Sequence, residues 1–455
     1  MDEPRGAVQF SRRQVLRGVV ALCVPALSGL LSACSGSATP TPTVGQSAAS
    51  ASPTPTKAAV ASPVATPSPA GGTTPTAASS GTPGGQAGGA AIKIGYVASL
   101  SGVYASLGQN MLNGLKLALD EVNNVVAGHP ITLAIEDDAT NTDQGVTKVH
   151  QLAERDQVQI LTGINLTPVA VAVRDYVTQR KLPLIISNAG AAAITRDPNQ
   201  RSPYIFRVSF ANGQYEWPLA PYAYQNLGYK RLIITASDFQ AGHEKADAVK
   251  AAFQKAGGQV VAEVYPPLNT ADFGPYLQRI QQTKADAVWA FYAGADAVRF
   301  VQQYNDFGLK GQLALIGAGD LVDEAYLDQE GDAALGAVTS LHYTPWYDSP
   351  ENKAFVTAYQ QKYGKIPNQF AYQGYLTGRV IVEAVKAAGG VQNTEAFLQA
   401  LKNVQFTGPA GPFRFHPQTQ NVVLTVFIRK VDHVPSGGLG NVVLYKYDNI
   451  DDLSY

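Results

Sequence analysis

From Ile92 the chain alternates short apolar runs with helical patterns, and after Lys230 it does so a second time. Ile92-Lys93-Ile94-Gly95-Tyr96-Val97 reads as a buried strand. Asn110–Asn123 places Met111, Leu115, Leu119 and Val122 on one helical face, beside Leu112 and Ala118. Strand Ile131–Glu136, helix Thr142–Arg155, strand Ile160–Thr162, helix Pro168–Gln179 and strand Pro183–Ser187 follow. The second series runs through strand Arg231–Thr235, helix Glu244–Lys255, strand Val260–Tyr265, helix Phe273–Gln282, strand Ala287–Phe291, helix Ala295–Phe307 and strand Ala314–Gly317. Such alternation predicts a parallel, doubly wound sheet. Two of them, each of ~120 residues, predict an α/β protein of two lobes. Open sheets bind ligands beyond the carboxyl ends of their strands, so two facing sheets make one enclosed site.

After Leu341 the texture changes. Pro350–Tyr363, Gly374–Ala388 and Thr394–Asn403 read as helices, and Val422–Arg429 and Val442–Lys446 as terminal strands. Crossings between lobes are predicted near Phe210–Tyr215, Leu341–Thr344 and Pro412–Phe415. They give lobe 1 residues 92–210 and 345–412, and lobe 2 residues 215–341 and 416–455. Three parallel crossings make a hinge rather than a loose linker.

The first 91 residues belong to no such pattern. Ser11-Arg12-Arg13-Gln14-Val15-Leu16-Arg17 precedes a mostly apolar run from Gly18 to Leu31. That run is interrupted by Pro25 and Gly29 and is too short to span a bilayer, which takes ~20 residues. It fits the apolar region of a signal peptide, and the paired arginines fit the twin-arginine route, with an ordinary secretory signal as the alternative. Leu31-Ser32-Ala33-Cys34 resembles a bacterial lipobox. The resemblance implies that residues 1–33 are removed and that Cys34 is lipidated. Each buried methylene is worth ~0.8 kcal/mol, so two or three acyl chains hold a soluble domain on a membrane where one does not.

Ser35–Ala91 is mainly Ala, Pro, Thr, Ser and Gly, with Lys57 as its only charge and no aromatic. Such a segment cannot bury enough apolar surface to offset its ordering entropy. It is expected to be a tether averaging ~40 Å end to end, and ~170 Å if fully polyproline II.

Charge and chemistry narrow the function. The net charge is −1, and the first 33 residues hold four arginines against Asp2 and Glu3, which leaves −3 for the remainder. No basic face for nucleic acid is expected from that balance. Both cysteines, Cys23 and Cys34, precede the folded part. The six histidines (His129, His150, His243, His342, His416, His433) lack metal-ligand spacing, and His243-Glu244 lacks the second histidine of a zincin. No Gly-x-Ser-x-Gly elbow occurs, and Gly317-Ala318-Gly319 lacks the third glycine of a dinucleotide fingerprint. Glu136-Asp137-Asp138, following a strand, reads as polar loop chemistry. No enzyme activity, metal or cofactor is expected.

Several stretches carry a family resemblance: Ile94-Gly95-Tyr96-Val97-Ala98-Ser99-Leu100-Ser101-Gly102, Gly108-Gln109-Asn110-Met111-Leu112-Asn113-Gly114, and Glu136-Asp137-Asp138-Ala139. So do Ala293-Gly294-Ala295-Asp296-Ala297-Val298-Arg299-Phe300 and Ala371-Tyr372-Gln373-Gly374-Tyr375. In order and spacing the chain resembles the type I periplasmic binding proteins, in their leucine/isoleucine/valine-binding branch, over about Ile92 to Tyr445. The resemblance implies a Venus-flytrap fold whose closed form is read by an ABC permease and its ATPase. A sensory receptor passing its closed form to a membrane kinase or chemoreceptor is the alternative. The domain is expected to be monomeric, with a small-molecule ligand and the membrane, through the lipid anchor, as further partners.

Family contacts carry over by position. The loop Gly163-Ile164-Asn165-Leu166-Thr167 would meet the ligand carboxylate, with the Thr167 hydroxyl and Asn165 there, and Ala189 would contribute backbone. Thr167 also suits a helix cap before Pro168. Ala191 stands where amino-acid binders have a threonine for the ammonium, and Ala241 where they have a tyrosine. A second tyrosine falls near Ala293, beside Tyr292. The acid that pairs with the ammonium falls on Gly319, with Asp320 one position later. Leu107 takes an apolar contact, Phe239 and Tyr292, at strand ends, read as cleft walls or core, and Tyr104, after a Gly-Val turn, reads as a cover over the ligand or a surface aromatic. A buried ammonium without a carboxylate partner costs several kcal/mol. These departures therefore leave two solutes open, a branched-chain amino acid and an amine-free carboxylate of the aromatic kind.

Overall fold

The structure is a computed structural model that describes residues 88–435 and 437–455. The leader, Cys34 and the tether up to residue 87 lie outside the described residues. The first sheet comprises β1 (Ile92–Ala98), β2 (Val125–Val126), β3 (His129–Asp137), β4 (Ile160–Gly163), β5 (Leu184–Ile186) and β6 (Ile205–Arg207). Its order is β2-β3-β1-β4-β5-β6, parallel except for the β2–β3 edge pair. The second is built on β7 (Arg231–Ala236), β8 (Gln259–Val264), β9 (Ala287–Phe291), β10 (Ala314–Ala318) and β11 (Val338–Leu341). A hairpin of β12 (Gln405–Gly408) and β13 (Gly411–Arg414) precedes β14 (Leu424–His433) and β15 (Leu439–Ile450). These last two extend the second sheet antiparallel, in the order β15-β14-β11-β10-β9-β7-β8.

The strand order reverses between β1 and β4 in one sheet and between β7 and β9 in the other. In an open parallel sheet the crevice at this switch point is where ligands bind. Strands β1, β4, β5 and β9 are buried almost throughout, which is why they read as continuous apolar runs rather than alternating ones.

Helices α1 (Ala105–Asp120), α2 (Thr142–Glu154), α3 (Thr167–Gln179) and α4 (Ala192–Arg196) belong to the first half, and α5 (Leu219–Gln225) comes after the first crossing. Helices α6 (Gln240–Lys255), α7 (Gly274–Gln281), α8 (Ala295–Asp306) and α9 (Leu327–Glu330) follow, then α10 (Pro350–Tyr363), α11 (Gln369–Ala388) and α12 (Thr394–Lys402). Asn141, Ser349, Asn368 and Asn393 cap α2, α10, α11 and α12 by accepting from the backbone N–H three residues on. Gly364 and Gly389, both left-handed, end α10 and α11.

Two helices start five residues before their expected positions. α11 begins at its Asn368 cap rather than at Gly374. α1 begins at Ala105 rather than at Asn110, and its first turns lie against the end of β1. A Cβ on Gly108 would stand 2.0 Å from the Ser99 carbonyl oxygen, so glycine is required there.

The chain passes between the sheets three times, after β6, after β11 and between β13 and β14. The third passage, at 415–423, lies just beyond the expected Pro412–Phe415. Gln214 in the first crossing donates to the carbonyls of Val422 and Ile450, both at 2.9 Å. Asn421 in the third donates back to Gln214 Oε1 at 2.8 Å and accepts from Arg207 Nε at 2.6 Å. This buried network joins the crossings side by side.

The two walls have closed on each other. Glu244 Oε2 on α6 accepts from Ala192 N at 3.0 Å and from Asn212 Nδ2 at 2.8 Å. Gln369 on α11 donates to Asp320 Oδ1 at 3.1 Å. The turn at Gly294 (φ +59°) lies under Val103, whose oxygen would be 2.6 Å from a Cβ there.

Candidate functional site

Between the switch points lies a narrow, nearly closed cleft with about 30 Å³ of free space. The loop after β1 and the start of α1 supply Tyr104 and Leu107. The loops after β4 and β5 supply Asn165, Thr167, Asn188 and Gly190, and the first crossing supplies Phe210 and Asn212. From the facing sheet come Phe239, Ala241 and Lys245 at α6, Phe291 and Ala293 at the end of β9, and Asp320 after β10.

The polar residues of the first wall are held in place. Asn165 accepts from Ser99 N at 2.9 Å and donates to Ser99 Oγ at 3.1 Å. Asn188 donates to Gln373 Oε1 at 2.8 Å, and Gln373 donates in turn to His342 Nε2 at 3.1 Å. His342 lies in the second crossing, where burial and the cations Lys245 and Arg429 hold its imidazole well below the usual range, hence neutral. Thr167 opens α3, but its hydroxyl caps nothing. Its oxygen receives a 3.4 Å contact from Asn212 Nδ2, and its hydroxyl proton has no acceptor among the described residues. The helix N-terminus beside it favours an anion.

The second wall carries the charge. Lys245 is buried, with its ammonium against Glu216 Oε1 and donating to Tyr215 Oη at 2.6 Å. The Tyr215 hydroxyl donates to Asp320 Oδ2. Burial pushes the Glu216 carboxyl up, and the Lys245 ammonium opposes that shift. Arg429 donates to the carbonyls of Tyr343 at 2.8 Å and Gly319 at 3.3 Å, placing a second buried cation behind the Asp320 turn.

The structure thus gathers Tyr104, Leu107, Asn165, Thr167, Phe239, Ala241 and Asp320, of the residues expected at the site, around one cleft. Four others it turns away. Tyr292 faces the opposite side of its sheet, where its hydroxyl meets Thr235 Oγ1 at 2.5 Å and its ring stacks on Phe300 at 4.4 Å. Successive residues of a strand point to opposite faces, so Phe291 and Ala293 line the cleft and Tyr292 does not. Gly319 points into the core, since a Cβ there would meet Leu341 and Arg429. Ala189 and Ala191 flank Gly190, which lines the cleft in their place. The Ala189 N–H is used by the Ile164 carbonyl, and the Ala191 carbonyl accepts from Arg207 at 2.8 Å.

Asn188, Gly190, Phe210, Asn212, Lys245 and Phe291 were not expected at the site. The signal for Lys245 was its spacing: four residues after Ala241, it shares that residue's face of α6. Among the described residues, no group of three or more His, Cys, Asp or Glu is placed to hold a metal.

The chain is similar in structure to an ABC transporter substrate-binding protein from Sphaerobacter thermophilus, with 48% identity, 80% of this chain and 100% of that one covered, and a TM-score of 0.76. It is similar to a solute binding protein of an ABC transporter from Rhodopseudomonas palustris BisB5, solved in complex with 3,4-dihydroxy benzoic acid. There the identity is 34%, the coverage 80% and 98%, and the TM-score 0.76. In sequence it is 31% identical to Leu/Ile/Val-binding protein homolog 6 of Brucella melitensis, over 79% of this chain and 93% of that protein. The family described as "Periplasmic binding protein" matches residues 91–438. With two mostly parallel sheets closing on one cleft, the chain belongs to the periplasmic binding protein family and is a non-enzymatic solute-binding protein of the ABC transporter type.

Proposed function

We propose that the protein captures an aromatic carboxylic acid of the benzoate type outside the cytoplasmic membrane and presents it to an ABC permease. The observation that carries this is the lining of the cleft. Four aromatic rings, Tyr104, Phe210, Phe239 and Phe291, meet there with Leu107 and two alanines. Flat, apolar walls suit a planar ring, and ring pairs add ~0.5–1.5 kcal/mol beyond the area they bury. At the polar end, the free Thr167 hydroxyl and the N-terminus of α3 suit a carboxylate. Where amino-acid binders place a threonine that helps hold the α-ammonium this chain has Ala191, and where they place a tyrosine it has Ala241. The Rhodopseudomonas relative solved with 3,4-dihydroxybenzoic acid supports the same class.

The test is a thermal-shift panel on the full chain. An aromatic acid at ~100 times its Kd adds ~2.7 kcal/mol, several degrees of midpoint for a domain of this size. 4-Hydroxybenzoate or benzoate is expected to give that shift and leucine none. The Brucella relative's name favours a branched-chain amino acid as the second reading. A shift with leucine and none with the acids would establish that reading instead.

We also propose that Cys34 carries the lipid anchor and that the Pro/Thr/Ala/Ser segment after it is the tether. Cys34→Ser is expected to leave the protein unprocessed or released into the medium. Membrane retention with normal cleavage in that variant would contradict the anchor.

A further inference from the structure

Lys245 is the one lysine lining the described cleft, and its side chain is only 2% exposed. Lysines are seldom buried to that degree without a partner. Its Nζ has three N–H groups. One donates to Tyr215 Oη at 2.6 Å and one to Glu216 Oε1. The nearest anion left for the third is Asp320 Oδ2 at 3.9 Å, beyond hydrogen-bond reach. The rings of Tyr215, Phe210 and Phe291 surround the ammonium, with centroids at 4.2, 4.4 and 4.9 Å. With so little of the side chain exposed, the charge is weakly screened.

Asp320 is the carboxylate to which a ligand's ammonium would turn, and it is already engaged. Tyr215 donates to its Oδ2, Gln369 donates to its Oδ1 at 3.1 Å, and the Lys245 ammonium faces it. A second ammonium in this space would meet a fixed like charge, and the carboxylate it would turn to is already shared among Tyr215, Gln369 and Lys245. An acidic or phenolic oxygen would meet an N–H that lacks a partner.

We infer that Lys245 sets the charge class of the ligand: it is a resident ammonium that takes the place an amino acid's ammonium would need, and its third N–H donates to an oxygen of the bound acid. This rests on the reading of the cleft as a site for an amine-free acid, and it names the residue that enforces that choice.

Phenylacetate and phenylglycine differ only by an α-ammonium and serve as the probe pair, with benzoate beside them, in calorimetric titrations of the full chain. The wild-type protein is expected to bind phenylacetate at least ~100-fold more tightly than phenylglycine, the ratio that like-charge juxtaposition in a dry site sets. Lys245→Met is expected to weaken the two acids at least ~10-fold and to narrow that ratio to within ~10-fold. Because this change strands Glu216, the double variant Lys245→Met, Glu216→Gln is measured alongside it, as it keeps the interior charge balanced. Equal wild-type binding of phenylacetate and phenylglycine would overturn the inference. So would acid affinities and a ratio left unchanged in both variants. Leucine binding by the wild type in place of the acids would overturn this inference and the proposed function together, whereas unchanged acid binding in the variants would overturn this one alone.

Discussion

Replacing Ala241 by tryptophan is expected to lower the affinity for benzoate-type acids at least ~100-fold while leaving the thermal midpoint of the ligand-free protein within a few degrees. The Ala241 methyl lines the cleft at the start of α6, across from Thr167 and Asn212. The closed cleft has only about 30 Å³ of free space, so an indole added to its lining takes the room that opening would give a ligand. An indole enclosed there buries ~150–250 Å² of its own surface, which leaves no slot for a second ring. A benzoate ring kept in water forgoes the burial of ~100 Å² of apolar surface. At ~25 cal/mol per Å² that is ~2.5 kcal/mol, close to a factor of 100 in Kd. Any propping apart of Glu244 from Ala192 and Asn212 adds to the loss. Intrinsic fluorescence titration reads the affinity. An unchanged Kd would move the site elsewhere, and the groove lined by Arg196, Trp217, Glu244 and Tyr455 would be the next place to look.

The largest effect on stability is expected from Gly374→Val. Helices α1 and α11 touch backbone to backbone. A Cβ on Gly374 would stand 1.9 Å from the Met111 carbonyl oxygen, and one on Gly114 would stand 1.9 Å from that of Ala371. Gly378 repeats the approach one turn on, with a Cβ there 2.5 Å from Ala118. Valine at 374 must push the helices apart along a contact that closes the first lobe's core. Overpacking costs ~1–3 kcal/mol where side chains can yield, and a backbone carbonyl yields less, so ~3 kcal/mol or more is expected. At ~2.1 cal/mol/K per residue over a domain of this size, the thermal midpoint should then fall by roughly 4 degrees or more. A change of less than ~1 kcal/mol in chemical denaturation would show that the two helices slide freely over one another.

These glycines explain part of what the sequence made legible. Gly108, Gly114 and Gly374 all fall in stretches that carried the family resemblance. Each marks a place where a Cβ would strike a neighbouring carbonyl. The strands were readable for a related reason: parallel strands covered on both faces leave unbroken apolar runs, as in β1 and β9. β6 and β11 were missed because they are short and interrupted by polar residues. β6 ends in Arg207, buried because it serves the hinge, and β11 contains Thr339 and Ser340.

The site was legible where it follows strand ends, as at Asn165, Thr167 and Phe239. It was misread by one position at Tyr292, because a period of two turns a one-residue shift into the wrong face. Asp320 was placed in the cleft region by sequence, but its engagement with Tyr215 and Gln369 was not foreseeable. Lys245 was harder still. A lysine on an amphipathic helix looks like solvent face until Tyr215 and Glu216, ~30 positions earlier, fold across it from the first crossing, a sequence separation no local pattern spans. The polar chemistry of this cleft is made where hinge and helix meet, and that meeting is a property of the tertiary fold.

A crystal structure of the full chain with 4-hydroxybenzoate would locate the acid and every group that holds it. The ring is expected between Tyr104 and Phe210 on one side and Phe239 and Phe291 on the other. One polar end should lie on Thr167 and Asn165, and an oxygen should lie within hydrogen-bond distance of Lys245 Nζ. An empty cleft with the acid in the Arg196–Trp217–Tyr455 groove would contradict the account, as would an amino acid in the cleft with its ammonium on Asp320.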